Sequence, residues 1–162
     1  MGKTRGFTLI ELMVTIAVLA IITMMAMPLF KDMMVAQNFS KSTQELILTL
    51  NQARSKAVLE RRQVQVILQP NSTPAPSTNT DNQLVWVPSG QSILKTNLTT
   101  SIYFNLTGGV CFLDGGTPPK CISANNDTNI EICNTATSSN KKSKIVSISR
   151  MGTIQQTTEG TC

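Results

Sequence analysis

Three hydropathy patterns succeed one another along this chain. From Phe7 to Met27 the residues are almost uniformly apolar, with one charge, Glu11, in 21 positions. Beyond Pro28 the pattern becomes a stripe. Phe39, Thr43, Leu46, Leu50, Ala53 and Ala57 recur at spacings of three and four, and Ile47 and Val58 widen the stripe. Gln44, Asn51, Gln52, Arg54, Lys56 and Arg61 fall mainly on the opposite side. Such spacing predicts an amphipathic helix with one face for a core. Pro28 lacks a backbone donor, so it is expected to kink or locally open the helix without ending it. One helix from Phe7 to about Arg62 is the prediction.

After Arg62 the period falls to two. Val64, Val66 and Leu68 alternate with Gln65 and Ile67, as in a strand with one buried face. The segment from Pro70 to Asn82 is rich in Pro, Ser, Thr and Asn and reads as an exposed, mobile loop. Further strands are expected at Leu84–Val87, Ser101–Leu106, Val110–Leu113, Asn129–Cys133, Lys144–Ser149 and Thr153–Gln156. Arg150-Met151-Gly152 reads as a tight turn between the last two. A long helix and then short strands predict an α+β domain, with an antiparallel sheet on the helix's apolar face.

The first pattern bears on the membrane. As a helix, 21 residues span roughly 31 Å, close to the hydrocarbon thickness of a bilayer. An ordinary signal peptide has an apolar core of about 7–15 residues and a small-residue cleavage site after it. Here the run is longer, and Pro28-Leu29-Phe30-Lys31 is no such site. Lys3 and Arg5 precede the run, so the positive-inside tendency keeps residues 1–6 in the cytoplasm and exports the chain beyond Met27. A carboxylate inside such a segment is costly, which marks Glu11 as functional; the alternative is an acid that complements the helix dipole.

Gly6-Phe7-Thr8-Leu9-Ile10-Glu11 resembles the type IV prepilin signature. The resemblance implies that a membrane-embedded aspartyl peptidase cuts after Gly6 and methylates the new amine of Phe7. It also implies that Glu11 pairs, in low dielectric, with the N-terminal amine of a neighbouring subunit during assembly. The chain then divides into four segments: leader 1–6, membrane and assembly half of the helix 7–27, amphipathic half 28–62, and β-rich domain 63–162. The implied fold is the type IV pilin fold. Gln44-Glu45-Leu46, then Asn51-Gln52-Ala53-Arg54-Ser55-Lys56-Ala57-Val58, then Val64-Gln65-Val66, resemble the FimT/FimU-type minor pilins, relatives of the GspH pseudopilin. That likeness implies a low-copy subunit of a filament-tip priming complex, with other major and minor pilins, the prepilin peptidase and the inner membrane as partners. The protein would stand in the inner membrane with its C-terminal domain in the periplasm, then on the cell surface in the pilus. Read from the residues alone, the Ala-Arg-Ser block is plain helix surface with a solvated arginine.

Charge and cysteines refine this picture. Loss of Lys3 and Arg5 with the leader leaves 12 basic against 9 acidic side chains, a net +3. Cys111, Cys121, Cys133 and Cys162 all lie in the exported part, where an even count reads as disulfides. Three connectivities are open; Cys111–Cys121 with Cys133–Cys162 is preferred because each closes a contiguous segment. Scattered thiols without a Cys-x-x-Cys spacing argue against zinc. Asp114-Gly115-Gly116 offers one carboxylate and reads as a turn, far short of the six to eight oxygens of a calcium site.

The chain has no histidine, so Ser–His and Cys–His catalytic pairs cannot be built, and no cofactor is expected. DNA is the remaining partner to weigh. Some FimT-type pilins bind it, and that resemblance points to a Gly-Arg-x-Arg motif in the C-terminal hairpin. Ser149-Arg150-Met151-Gly152-Thr153 stands there, with one arginine where the motif has two. Lys141, Lys142, Lys144 and Arg150 form a basic cluster in sequence and are the candidate contacts. With Trp86 and Tyr103 the only aromatics besides five phenylalanines, platforms for stacking bases are few. DNA therefore ranks behind assembly. A FimT-like DNA receptor for natural transformation and a type II secretion pseudopilin are the alternative readings.

Overall fold

A computed structural model describes residues 6–71, 78–95, 101–134 and 141–162. Most of the leader, at 1–5, and the centre of the expected loop from Pro70 to Asn82, at 72–77, lie outside the described residues. One helix, α1, spans Leu9–Glu60. It does not end at Pro28. Its first turn is capped by Thr8, whose Oγ1 accepts the Glu11 N–H at 3.3 Å. Thr-x-x-Glu at a helix start is the capping-box pattern, in which an otherwise orphaned donor is satisfied. Glu11 thus has a local role as well as the assembly role that the resemblance implies.

The chain forms two compact units, Met1–Ala36 and Gln37–Cys162. In the first, the described apolar side chains from Phe7 to Met27 stand uncovered, Phe7 at 82% exposure, Ile22 at 57% and Met25 at 73%. In the second, the predicted helical stripe is buried. Phe39, Thr43, Leu46, Leu50, Ala53 and Ala57 are all 5% exposed or less. Val58 departs from the expectation and is 44% exposed, because the helix turns it past the edge of the core.

Among the described residues the helix leads into nine strands: β1 Val64–Leu68, β2 Gln83–Trp86, β3 Ser92–Leu94, β4 Ser101–Phe104, β5 Val110–Leu113, β6 Cys121–Ser123, β7 Thr128–Asn134, β8 Lys142–Ile148 and β9 Ile154–Thr161. They form two sheets where one was expected, in the orders β2-β1-β4-β5-β6 and β3-β7-β8-β9. The β1–β2 pair is parallel, with Val66 opposite Leu84; the other pairs are antiparallel. Residues 69–82 make this possible, since a parallel return needs a crossover of about a dozen residues. The inner-facing side chains of both sheets, among them Val66, Trp86, Phe104, Ile132 and Val146, join the helical stripe in one core. Burying such side chains contributes roughly 1.5–3 kcal/mol each.

Polar contacts fasten the helix to the β2–β3 connection. The indole Nε1–H of Trp86 donates to the Ser42 carbonyl at 3.2 Å, and the Ser89 N–H donates to Ser42 Oγ at 2.7 Å. Ser89 Oγ donates to Glu45 Oε2 at 3.0 Å. A buried indole needs an acceptor, and here the helix backbone supplies one.

Candidate functional site

At the N-terminal end, Gly6 has no atom within 4 Å of where a Cβ would stand, so nothing among the described residues calls for glycine there. Phe7 and Glu11 are exposed, and Glu11 makes no ion pair among the described residues. The helix is long and apolar enough to cross a membrane, and its most apolar stretch buries nothing within the chain. An exposed apolar surface of this extent in water marks a segment meant for lipid or for neighbouring subunits.

Within the second unit, the structure corrects the reading of Arg54 as solvated. Arg54 is half-buried, and its Nε is buried without a hydrogen-bond partner. It lies against two glycine turns, Gly108 between β4 and β5 (φ +82°) and Gly152 between β8 and β9 (φ +77°). A Cβ on Gly108 would stand 3.3 Å from Arg54 Cγ, and one on Gly152 3.2 Å from Arg54 Cδ. The aliphatic stem of Arg54 thus fills the place where turns from the two sheets meet. No local signal in the sequence gives this, because the two glycines are 44 positions apart. The Ser149–Gly152 turn is closed by the Gly152 N–H donating to the Ser149 carbonyl at 2.8 Å. It is joined to β5 where the Val110 N–H donates to the Arg150 carbonyl at 3.0 Å.

The basic residues that cluster in sequence do not converge in space. Lys141 and Lys142 stand at the start of β8, whereas Arg150 lies beyond its far end, at least about 20 Å away at 3.3 Å per residue. Lys144 is half-buried, with its ammonium 5.4 Å from the centroid of the Phe39 ring, where a cation–π contact holds it. Glu159 shares a shallow hollow with Lys141 and Lys142 and offsets their charge. A strand's length separates what the chain order placed together, and no continuous cationic footprint results.

The structure joins Cys111 to Cys121 and Cys133 to Cys162, with Cα separations of 5.4 Å and 5.9 Å, inside the range a disulfide spans. Glu131, Cys133 and Cys162 bring possible ligand atoms within 4.8 Å of one another, but the disulfide occupies both sulfurs. Beside them the Lys95 ammonium donates to Glu131 Oε2 at 2.8 Å and holds that carboxyl below its ordinary pKa, while burial opposes the shift. Asp114 Oδ1 accepts the Lys120 N–H at 2.5 Å, which closes the turn at Gly115-Gly116.

Comparison with curated proteins and with solved structures gives no match. Two family models do match. The prokaryotic N-terminal methylation motif covers residues 1–27, the stretch containing Gly6, Phe7 and Glu11. A second model, Type II transport protein GspH, covers residues 42–152, from the buried half of the helix to the β8–β9 turn. Both are families of structural pilins and pseudopilins, not of enzymes. An exposed apolar helix headed by a methylation motif and packed, further along, on an antiparallel-rich β domain accords with both matches, and the chain belongs to the Type II transport protein GspH family of pilin-like proteins.

Proposed function

We propose that the mature protein is a minor type IV pilin that enters the tip or priming complex of a filament and helps initiate its assembly, in support of adhesion and twitching motility. Its role is structural, with no catalytic step. The observation that carries this reading is the uncovered apolar stretch of the helix that starts at Leu9, whose first turn holds Glu11, a carboxylate with no ion pair among the described residues. Peptidase cleavage after Gly6 leaves Phe7 as a methylated N-terminus. The Glu11 carboxylate costs free energy in lipid until a neighbour's amine neutralises it, so its presence makes sense for assembly. Before assembly the protein stands in the inner membrane with residues after Met27 in the periplasm; afterwards it stands in the pilus with other major and minor pilins.

A second reading, the pseudopilin of a type II secretion system, is favoured by the family match over residues 42–152. The experiment starts from intact mass of membrane-extracted protein, which should show loss of residues 1–6 and one added methyl group. Sheared surface filaments should contain the protein, and Glu11→Ala should leave it in the membrane fraction but deplete it from filaments. Wild-type levels of Glu11→Ala in filaments would sink the pairing argument. A deletion strain that keeps its pili and loses protein secretion would put the second reading first.

A further inference from the structure

The edge strand β6 borders a groove that the assembly reading leaves unused. Its volume is about 560 Å³, within the range of about 300–1,000 Å³ typical of ligand sites. The groove lies between β6 and the start of β7, so it opens where the two sheets part. Phe112, Ile122 and Ala124 line its apolar side, and Asp114, Asp127 and Asn129 belong to its polar rim. Ile122 is 56% exposed although its cross-strand partner Phe112 is half-buried. The five-stranded sheet thus extends past the cover of its own core.

Backbone groups face the same opening. The Ala124 N–H donates to the Val110 carbonyl and the Asp114 N–H to the Lys120 carbonyl. Residues 120, 122 and 124 therefore turn their backbone groups toward β5. In an antiparallel pair, alternate residues point the other way, so Cys121 and Ser123 present theirs to the open edge. No strand pairs with β6 on that side among the described residues. Across the groove, β3 reaches β7 only as far as Glu131, through the Lys95 N–H, and leaves Thr128 to Ile130 without a partner strand on that side among the described residues.

Charge selects what can enter. The groove's charged lining consists of Asp114 and Asp127, with no lysine or arginine, on a mature chain of net +3. Both carboxylates are oriented by backbone donors: Asp114 Oδ1 accepts from Lys120, and Asp127 Oδ1 accepts from the Arg150 N–H at 3.4 Å. Neither carboxylate forms an ion pair with a lysine or arginine among the described residues.

We propose that this groove docks an extended cationic segment of a partner protein, which adds to β6 as a further strand of the five-stranded sheet. Main-chain hydrogen bonds to Cys121 and Ser123 hold the segment, alternate apolar side chains settle beside Ile122 and Phe112, and lysine or arginine side chains meet Asp114 and Asp127. Strand addition of this kind draws its affinity from the backbone and its selectivity from the alternate side-chain sites. At three residues β6 is short, which limits uncontrolled edge pairing and leaves recognition to the side chains. The proposal is independent of whether the filament serves a pilus or a secretion system.

The test uses the full-length protein in detergent micelles, titrated with an acetylated peptide alternating lysine and valine and monitored by backbone amide shifts. Saturable shifts confined to β6 and to Asn125–Asn129 are expected. N-methylation of the peptide amide that faces Ser123 should abolish them, as should the exposed-site substitution Ile122→Lys. Asp114→Asn and Asp127→Asn should each weaken binding roughly two- to fivefold, the scale of an exposed ion pair. Equal binding of a glutamate–valine peptide would overturn the proposal. So would shifts lying outside the groove, absence of binding at millimolar peptide, or shifts at these amides produced by a neutral oligosaccharide and not by the peptide.

Discussion

Replacing Gly152 by alanine tests the claim that the β4–β5 and β8–β9 turns are fitted to one another. Gly152 has φ +77°, a left-handed conformation that costs an L-residue roughly 1–2 kcal/mol. The new methyl carbon would stand 1.9 Å from the Gly108 carbonyl oxygen, whereas ordinary contact begins near 3.4 Å. The obstacle is backbone, so the turns must part by about 1.5 Å. That movement breaks the hydrogen bond from the buried Val110 N–H to the Arg150 carbonyl. Leaving a buried donor unsatisfied costs about 1–3 kcal/mol. The two effects together give a loss of roughly 2–5 kcal/mol, reaching the upper end for a single substitution.

Urea unfolding of the full-length protein in micelles, read by tryptophan fluorescence, measures this loss. Trp86 is the chain's one tryptophan, 2% exposed and bonded to the helix through Ser42, so its emission reports the core. At a urea slope of about 2 kcal/mol per molar, the midpoint should fall by roughly 1–2.5 M. Gly115→Ala is the control, because no atom lies within 4 Å of its added carbon; it should stay within about 0.5 kcal/mol of the parent. If Gly152→Ala melts alongside that control, the turns are not packed as described and Arg54 fills no slot between them.

Cys162→Ser opens the loop of sequence separation 29 closed by Cys133–Cys162. On chain-entropy grounds this should cost about 3–4 kcal/mol, with hydrogen exchange accelerated in β9 and the five-stranded sheet still protected; unchanged exchange in β9 refutes it. The Lys95–Glu131 pair predicts a pH effect. A carboxyl held below its ordinary value of 4.5 contributes stability above that pH and loses it as the pH falls through its lower native pKa. Urea midpoints should therefore drop below about pH 4.5, and Glu131→Gln should flatten that part of the profile; an equal slope in the variant removes the pair as its cause. Labelled duplex DNA titrated at about 0.15 M salt should bind weakly and without sequence preference. Each phosphate contact adds only about 0.9 to the logarithmic salt slope, and Lys141 with Lys142 supplies two such contacts. Micromolar or tighter binding that collapses in Arg150→Ala would promote the DNA-receptor reading.

The sequence by itself determined what short-range chemistry specifies. The methylation-motif block, the membrane-length apolar run and the helical stripe each lie in one contiguous stretch, and a helix is closed by bonds four residues apart. The strands with clear two-residue alternation, such as Val64–Leu68, were equally legible, because one buried face leaves its mark on every second residue. The strands Ser92–Leu94 and Cys121–Ser123 were not, since three residues show no period and exist as strands only through their partners. The division into two sheets and the parallel return of Gln83–Trp86 were decided by pairing between distant segments, which leaves no local pattern. The candidate sites divide in the same way. Gly6, Phe7 and Glu11 could be read from adjacent letters. Only the tertiary structure could bring Arg54, Gly108 and Gly152 together, or set Lys142 and Arg150 a strand's length apart, because an extended chain moves neighbours in sequence away from one another as surely as it brings distant residues into contact.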